Sequence, residues 1–228
     1  MTKVGLGYDQ GQTLVCPWYD YGLPSGVPFP QQGQSFSRMF PSFLEALPLD
    51  FDKLNPKETI VIVSPGNLDD MLSYPRFCKA RGFDYIFDPG QSLPMLEAGN
   101  LTQAIEGCRI LIANDYELEL IISKTGLKKE LLLKLANTII VTKGELGSLV
   151  STLDDEIKIP AVKPKKAVDP TGAGDAYRGG LISGLAREKS IKDCAKMGSV
   201  CASFCVECYG TQDYRFSKEE FNERLNGC

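Results

Sequence analysis

No histidine occurs anywhere in the 228 residues. A Ser-His-Asp or Cys-His nucleophile system, an H-E-x-x-H zinc site and any His-ligated metal or haem all need an imidazole, so these chemistries are excluded together. Acid and base work must fall to carboxylates, lysine, tyrosine or cysteine. Positive charge is also short: 25 Lys and Arg stand against 29 Asp and Glu, a formal charge of -4. With a pI near 5.1, the chain has no general attraction for phosphate backbones or anionic lipid headgroups, and neither nucleic acid nor a membrane surface is expected as a partner. No run approaches the ~20 apolar residues that cross a bilayer, and the opening MTKVGLGYDQGQTLVCPW has no continuous apolar stretch behind its lysine. A cytoplasmic protein is expected. The eight cysteines would suggest a disulfide framework in a short secreted chain; in a longer chain without an export signal they are expected as reduced thiols.

What is present has the balance of a globular protein, with 43% hydrophobic and 24% charged residues. A chain of this length can bury roughly 70% of the surface its unfolded form exposes, so a core needs no staples. Residues 1–55 differ from the rest. Twelve of the first 48 residues are Gly or Pro, and Arg38 is the only basic residue between Lys3 and Lys53. Long helices are therefore excluded there. Trp18, Tyr8, Tyr19, Tyr21, Phe29, Phe36, Phe40 and Phe43 make the segment too aromatic for a disordered tail, and irregular structure packed on the main body is expected.

Residues 56–228 carry short apolar, β-branched runs alternating with amphipathic stretches. TIVIVS (59–64), YIFD (85–88), RILIA (109–113) and TIIVT (138–142) read as strands with helical spacers, the arithmetic of a mainly parallel sheet with helices on its faces. The first spacer has Asn67 as a helix cap and Gly82 as its stop, and Pro75 is expected to kink or interrupt it. GSLVST and EIKIP read as an antiparallel hairpin. The last third reads as three helices, entered at Gly172, Ser190 and Ser217, with Gly180 and Gly184 marking close packing.

The strongest chemical signal is DPTGAGDAYRGG, Asp169 to Gly180. Gly172, Ala173 and Gly174 leave little side chain at a helix N-terminus, where unpaired N–H groups and the positive end of the dipole can meet an anion. Asp175, one residue further, can accept a proton from an attacking hydroxyl. The same residues could equally turn a strand into a helix, with Asp175 as a first-turn dipole partner. Asn114 and Glu117 follow a strand C-terminus and offer oxygens suited to magnesium and its waters; the alternative is a cap and a first-turn acid. Thr142, Gly144 and Gly147 would let backbone approach a nucleotide, or form a simple strand-turn-strand. Neither G-x-G-x-x-G nor G-x-x-x-x-G-K-[ST] is present. Cys201, Cys205 and Cys208 spell C-x-x-x-C-x-x-C, seven residues after Cys194, which suits either an iron-sulfur ligand set or the apolar face of one helix.

The Asp169–Ile182 segment resembles, position by position, the signature of the ribokinase-like (PfkB) carbohydrate and nucleoside kinases, D-T-T-G-A-G-D-A-F-x-G-G, departing only at Pro170 and Tyr177. NDYE (114–117) is similar to the family's N-x-x-E motif, and VTKGELGS (141–148) to its nucleotide loop; FDPGQ (87–91) and YGTQ (209–212) resemble segments of adenosine-kinase-like members. The resemblance covers residues 56–228. It implies a three-layer α/β/α ribokinase-like fold and ATP-dependent phosphorylation of a sugar or nucleoside hydroxyl. Asp175 would be the base, with Gly172, Ala173 and Gly174 as the anion hole. Thr142, Gly144 and Gly147 would contact the nucleotide, and Asn114 and Glu117 would order Mg2+. Asp169 and Thr171 would help hold a K+ ion. A homodimer is compatible with this reading. The family's N-terminal strand, G-G-x-x-x-N segment and lid strands have no counterpart in residues 1–60. The resemblance is therefore to a kinase with an incomplete N-terminal strand and lid, and a nucleotide-binding relative without turnover is the alternative.

Overall fold

The computed structural model describes residues 54–227 and the backbone of Thr13–Val15. Seven strands form one sheet in strict sequence order: β1 (Thr13–Val15), β2 (Thr59–Val63), β3 (Asp84–Phe87), β4 (Ile110–Asn114), β5 (Ile139–Thr142), β6 (Ser148–Ser151) and β7 (Glu156–Ile159). The first five run parallel, β6 pairs antiparallel with β5, and β7 pairs antiparallel with β6. Apart from β1 and residues 54–55, the expected N-terminal segment lies outside the described residues.

Strand alternation assigns each side chain to a layer. Val61, Val63, Tyr85, Phe87, Leu111, Ala113, Ile139 and Val141 face one side, where α1 (Leu68–Arg81), α2 (Ala98–Ile105), α3 (Asp115–Thr125) and α4 (Lys129–Leu135) supply Met71, Leu101, Ile105, Ile121 and Leu132. The intervening Ile62, Ile86, Ile110, Ile112 and Ile140 face the other, against Tyr177, Leu181 and Leu185 of α5 (Ala173–Leu185) and Cys194 and Ala195 of α6 (Ile191–Cys205). A strand buried on both faces needs an apolar residue at every position, which is why these strands read as continuous runs. The result is the expected three-layer α/β/α architecture. A last helix, α7 (Lys218–Asn226), docks on α6 by laying Arg224 over the Phe204 ring, 3.6 Å from its centre.

Pro75 does not break α1. The helix runs unbroken from the Asn67 cap to Gly82 with Pro75 buried inside it. One missing backbone donor is a bounded cost, and two N–H groups held by the Asn67 side chain, a left-handed Gly82 cap and the core contacts of Met71 and Cys78 offset it. Gly180 and Gly184 meet expectation: a side-chain carbon on either would collide with α6, at Met197 and Cys194 respectively. The cysteine face ends sooner than expected, because α6 stops at Cys205 and Cys208 lies in the turn beyond. Among the described residues, no helix is long and apolar enough to cross a membrane.

Candidate active site

The carboxyl ends of β3, β4 and β5 come together at one edge of the sheet, the edge at which open α/β sheets hold ligands. Asp88 directly follows β3, Asn114 ends β4 and Thr142 ends β5, with Asn114 and Thr142 opposite one another in register. From the other layer the N-terminus of α5 reaches the same edge. The link is Arg178, in the second turn of α5, whose Nε lies 2.7 Å from Oδ2 of Asp88 and whose Nη2 lies 3.2 Å from Oδ1 of Asp175. The contact to Asp88 is an ion pair without hydrogen-bond alignment.

The loop entering α5 is built for a free helix end. Gly172, the N-cap, sits in the left-handed region at φ 83°, and a side-chain carbon there would run into the backbone and side chain of Thr211. The YGTQ segment is thus the wall against which the glycine loop is pressed. Asp169 ties the two together: Oδ1 accepts from the Thr171 N–H at 2.9 Å and Oδ2 from the Gly210 N–H at 3.1 Å. The Thr171 hydroxyl first, then the N–H groups of Thr171 and Gly210, hold the Asp169 carboxyl below the usual carboxylate range. Both of its oxygens are engaged in holding the loop. Of the N–H groups at the helix entry, that of Ala173 is spent on the Pro170 carbonyl. Those of Gly172, Gly174 and Asp175 make no loop or capping hydrogen bond among the described residues, so the donors left at the helix entry are these three rather than the Gly172, Ala173 and Gly174 of the expectation. The Asp175 side chain beside them is exposed.

Asn114 and Glu117 form a reciprocal capping box on α3. The Glu117 N–H donates to Asn114 Oδ1 at 2.7 Å, and the Asn114 N–H donates to Glu117 Oε2 at 2.8 Å. Among the described residues, no group of three or more acidic or thiol side chains could cage a metal. This donor set fits a magnesium ion that keeps its waters and takes phosphate oxygens, with Glu117 as the acidic neighbour. Thr142 is half-buried and Gly144 exposed, whereas Gly147 is buried where a side chain would strike the backbone of Ile159 to Ala161. The chain's own packing therefore accounts for Gly147.

Two residues in the constellation carried no role in the sequence reading. Asp88 is 2% exposed, and burial pushes its carboxyl up to about 7 against the pull of Arg178, with Glu117 and Asp175 adding to the rise. An acidic residue directly after the buried run Tyr85–Phe87 was the available signal. Arg178 occupies the variable position of the signature and, with Asp175, is the only charge within α5. The cysteines point away from metal chemistry. Burial pushes the thiols of Cys201 and Cys205 up to about 12 and about 11, which opposes the thiolate form a cluster requires. Two surface depressions, one lined by Lys129, Glu130 and residues 151–156 and one by Lys189, Asp193, Lys196 and Leu225, contain none of these site residues.

The molecule is therefore an α/β protein with a helix N-terminus and an adjacent carboxylate at the carboxyl edge of a mainly parallel sheet. Residues 58–217 match the pfkB family of carbohydrate kinases, and the chain belongs to that family. It is 34% identical to the nucleoside kinase of Methanocaldococcus jannaschii over 187 residues, which are 80% of this chain and 61% of that protein. A solved structure of the Burkholderia thailandensis nucleoside kinase in complex with inosine superposes with a TM-score of 0.72 at 31% identity, covering 74% of this chain and 55% of that one. The same kinase in complex with ADP-inosine gives a TM-score of 0.71 at 31% identity, covering 74% and 53%. The chain thus spans somewhat more than half the length of these relatives.

Proposed function

We propose that this protein transfers the γ-phosphoryl group of ATP to a hydroxyl of a nucleoside, with a sugar as the alternative acceptor. The observation that carries the reading is the entry to α5: a helix N-terminus with free N–H groups, a carboxylate in its first turn, and a loop held open by Asp169 and Gly172 at the sheet's carboxyl edge. The N–H groups of Gly172, Gly174 and Asp175 donate to phosphoryl oxygens as negative charge builds in transfer. Asp175 accepts the proton of the acceptor hydroxyl, and its exposure lets that hydroxyl approach. Thr142, at the end of β5, offers its hydroxyl to the nucleotide. Magnesium, when bound beside Glu117 through its waters, supplies neutralisation of the phosphate charge. Little covalent chemistry is asked of the protein, which suits a chain without histidine.

One feature favours a nucleoside over a free sugar: nucleoside kinases stand among the similar proteins, at 34% and 31% identity. The test is ADP release with ATP, Mg2+ and K+ across inosine, adenosine, ribose and deoxyribose, comparing wild type with Asp175→Asn. Release that depends on a nucleoside and vanishes in the variant is expected. Thermal stabilisation by ATP without acceptor-dependent ADP would instead make this a nucleotide-binding relative without turnover, and equal rates in Asp175→Asn would remove Asp175 as the base.

A further inference from the structure

An aspartate and an arginine three residues apart on a helix surface usually contribute little, because both side chains are solvated and the arginine samples many rotamers. The Asp175–Arg178 pair differs in having a third member. The guanidinium of Arg178 is 22% exposed and meets, through Nε, the carboxylate of Asp88, which is 2% exposed and fixed at the end of a central strand. A second nitrogen of the same guanidinium, Nη2, meets Asp175, whose side chain is 58% exposed. The guanidinium also lies along the first turn of α5, where a side-chain carbon on Gly174 would come within 3.0 Å of Nη1. Gly174 thus leaves the space that the bridging conformation occupies. A planar fork can hold two carboxylates through different nitrogens at fixed relative positions; an ammonium is a point donor on a flexible stem and cannot reproduce that geometry.

We propose that Arg178 is a positioning residue for phosphoryl transfer: anchored on the buried Asp88 carboxylate, it sets the orientation of the Asp175 carboxylate at the mouth of the α5 N-terminus. The inference rests on the kinase reading above for its kinetic consequence, while its structural consequence stands apart from it. Asp88 and Arg178 need not touch either reactant. Asp88 follows β3 in one layer of the chain's organisation and Asp175 opens α5 in another, so the bridge also makes the base's position depend on the sheet rather than on a surface rotamer.

The test compares wild type with three variants, Arg178→Lys, Asp88→Asn and the double variant Asp88→Asn/Arg178→Gln, and adds Asp175→Asn alone and on Arg178→Lys. The double variant removes both buried charges together, so it avoids the unpaired carboxylate that Arg178→Gln alone would leave and serves as the well-folded control. With inosine as acceptor, kcat is expected to fall by about 10- to 100-fold in all three variants, the range a misplacement of roughly 1 Å can produce. The KM for ATP and the calorimetric Kd for ADP are expected to move by less than about threefold, because the anion hole is untouched. Asp175→Asn is expected to cost less in the Arg178→Lys background than in wild type, since the two act through one group. Unchanged kcat in folded variants would overturn the proposal, as would a loss that tracks the melting temperature and is restored in the double variant. If wild type shows no acceptor-dependent turnover, the kinase reading fails, and the positioning claim is judged from crystal structures of wild type and the double variant. A single Asp175 orientation in wild type that is lost in the double variant supports it, and the same orientation in both overturns it.

Discussion

Asparagine nearly matches aspartate in volume, so Asp88→Asn creates no cavity at a side chain that is 2% exposed and removes its titration. Burial raises the Asp88 carboxyl from its ordinary 3.8 to about 7 in the folded chain. Between those two values the folded state keeps a proton that the unfolded state releases. The associated stability is therefore fully present below about pH 4 and is lost as pH rises through about 7. The whole rise is worth roughly 4 kcal/mol as an upper bound, and about half of it, roughly 2 kcal/mol, falls between about pH 5.5 and about pH 8. Asparagine does not titrate, so the difference in unfolding free energy between wild type and Asp88→Asn isolates this contribution from every other group. Urea unfolding followed by circular dichroism at the two pH values reads it directly, and for a chain of this size the same change shifts the melting temperature of wild type relative to the variant by about 4–8 °C. Wild type should lose stability relative to Asp88→Asn as pH rises. A difference that stays constant across the range, or that moves in favour of wild type, would refute the claim that burial outweighs the Arg178 pair at Asp88.

Further expectations follow from the loop and the helix pair. Gly172→Ala must adopt φ 83° and push against Thr211, so it should destabilise the protein by about 1–3 kcal/mol and weaken ADP binding in calorimetry, whereas unchanged binding would mean that the loop is not the phosphate site. Gly180→Val places a branched side chain into the Met197 backbone of α6; a loss of at least about 2 kcal/mol in urea unfolding is expected, and a neutral result would show that the α5–α6 packing gives way easily. Asn114→Ala removes one half of the α3 capping box and should cost about 1 kcal/mol of stability. If Glu117 also serves magnesium, the same change should raise the Mg2+ concentration needed for half-maximal turnover, and an unchanged requirement would leave the pair as a cap only.

Much of this arrangement was legible in the sequence because it is local. Apolar, β-branched runs gave the buried strands, and single side chains announced the helix starts at Asn67, Ser190 and Ser217, each of which accepts a backbone N–H in the structure. The glycines at 180 and 184 gave the close helix pair for the same reason. What escaped was either a balance of energies or a meeting of distant residues. Pro75 reads as a kink or an interruption, and the interruption is absent: the rule counts the lost donor and not the core contacts that keep the helix going. Asp88 and Arg178 lie ninety positions apart in sequence, and only the stacking of α5 on the sheet brings them to 2.7 Å. The capping box shows a third limit: Asn114 and Glu117 were weighed as metal neighbours or as a cap, and the cap is present with one Glu117 oxygen outside it. Spacing alone could not distinguish the two, since both uses need the same residues at the same helix start.

The central claim is that the α5 N-terminus passes a phosphoryl group to a hydroxyl whose proton goes to Asp175. Its most direct measurement is transfer of label from γ-labelled ATP to inosine in the presence of Mg2+, in wild type and in Asp175→Asn. Labelled nucleoside monophosphate is expected from wild type, with a fall of about 100-fold or more in the variant and nucleotide still bound. Label recovered only as inorganic phosphate, or equal product from both proteins, would contradict it.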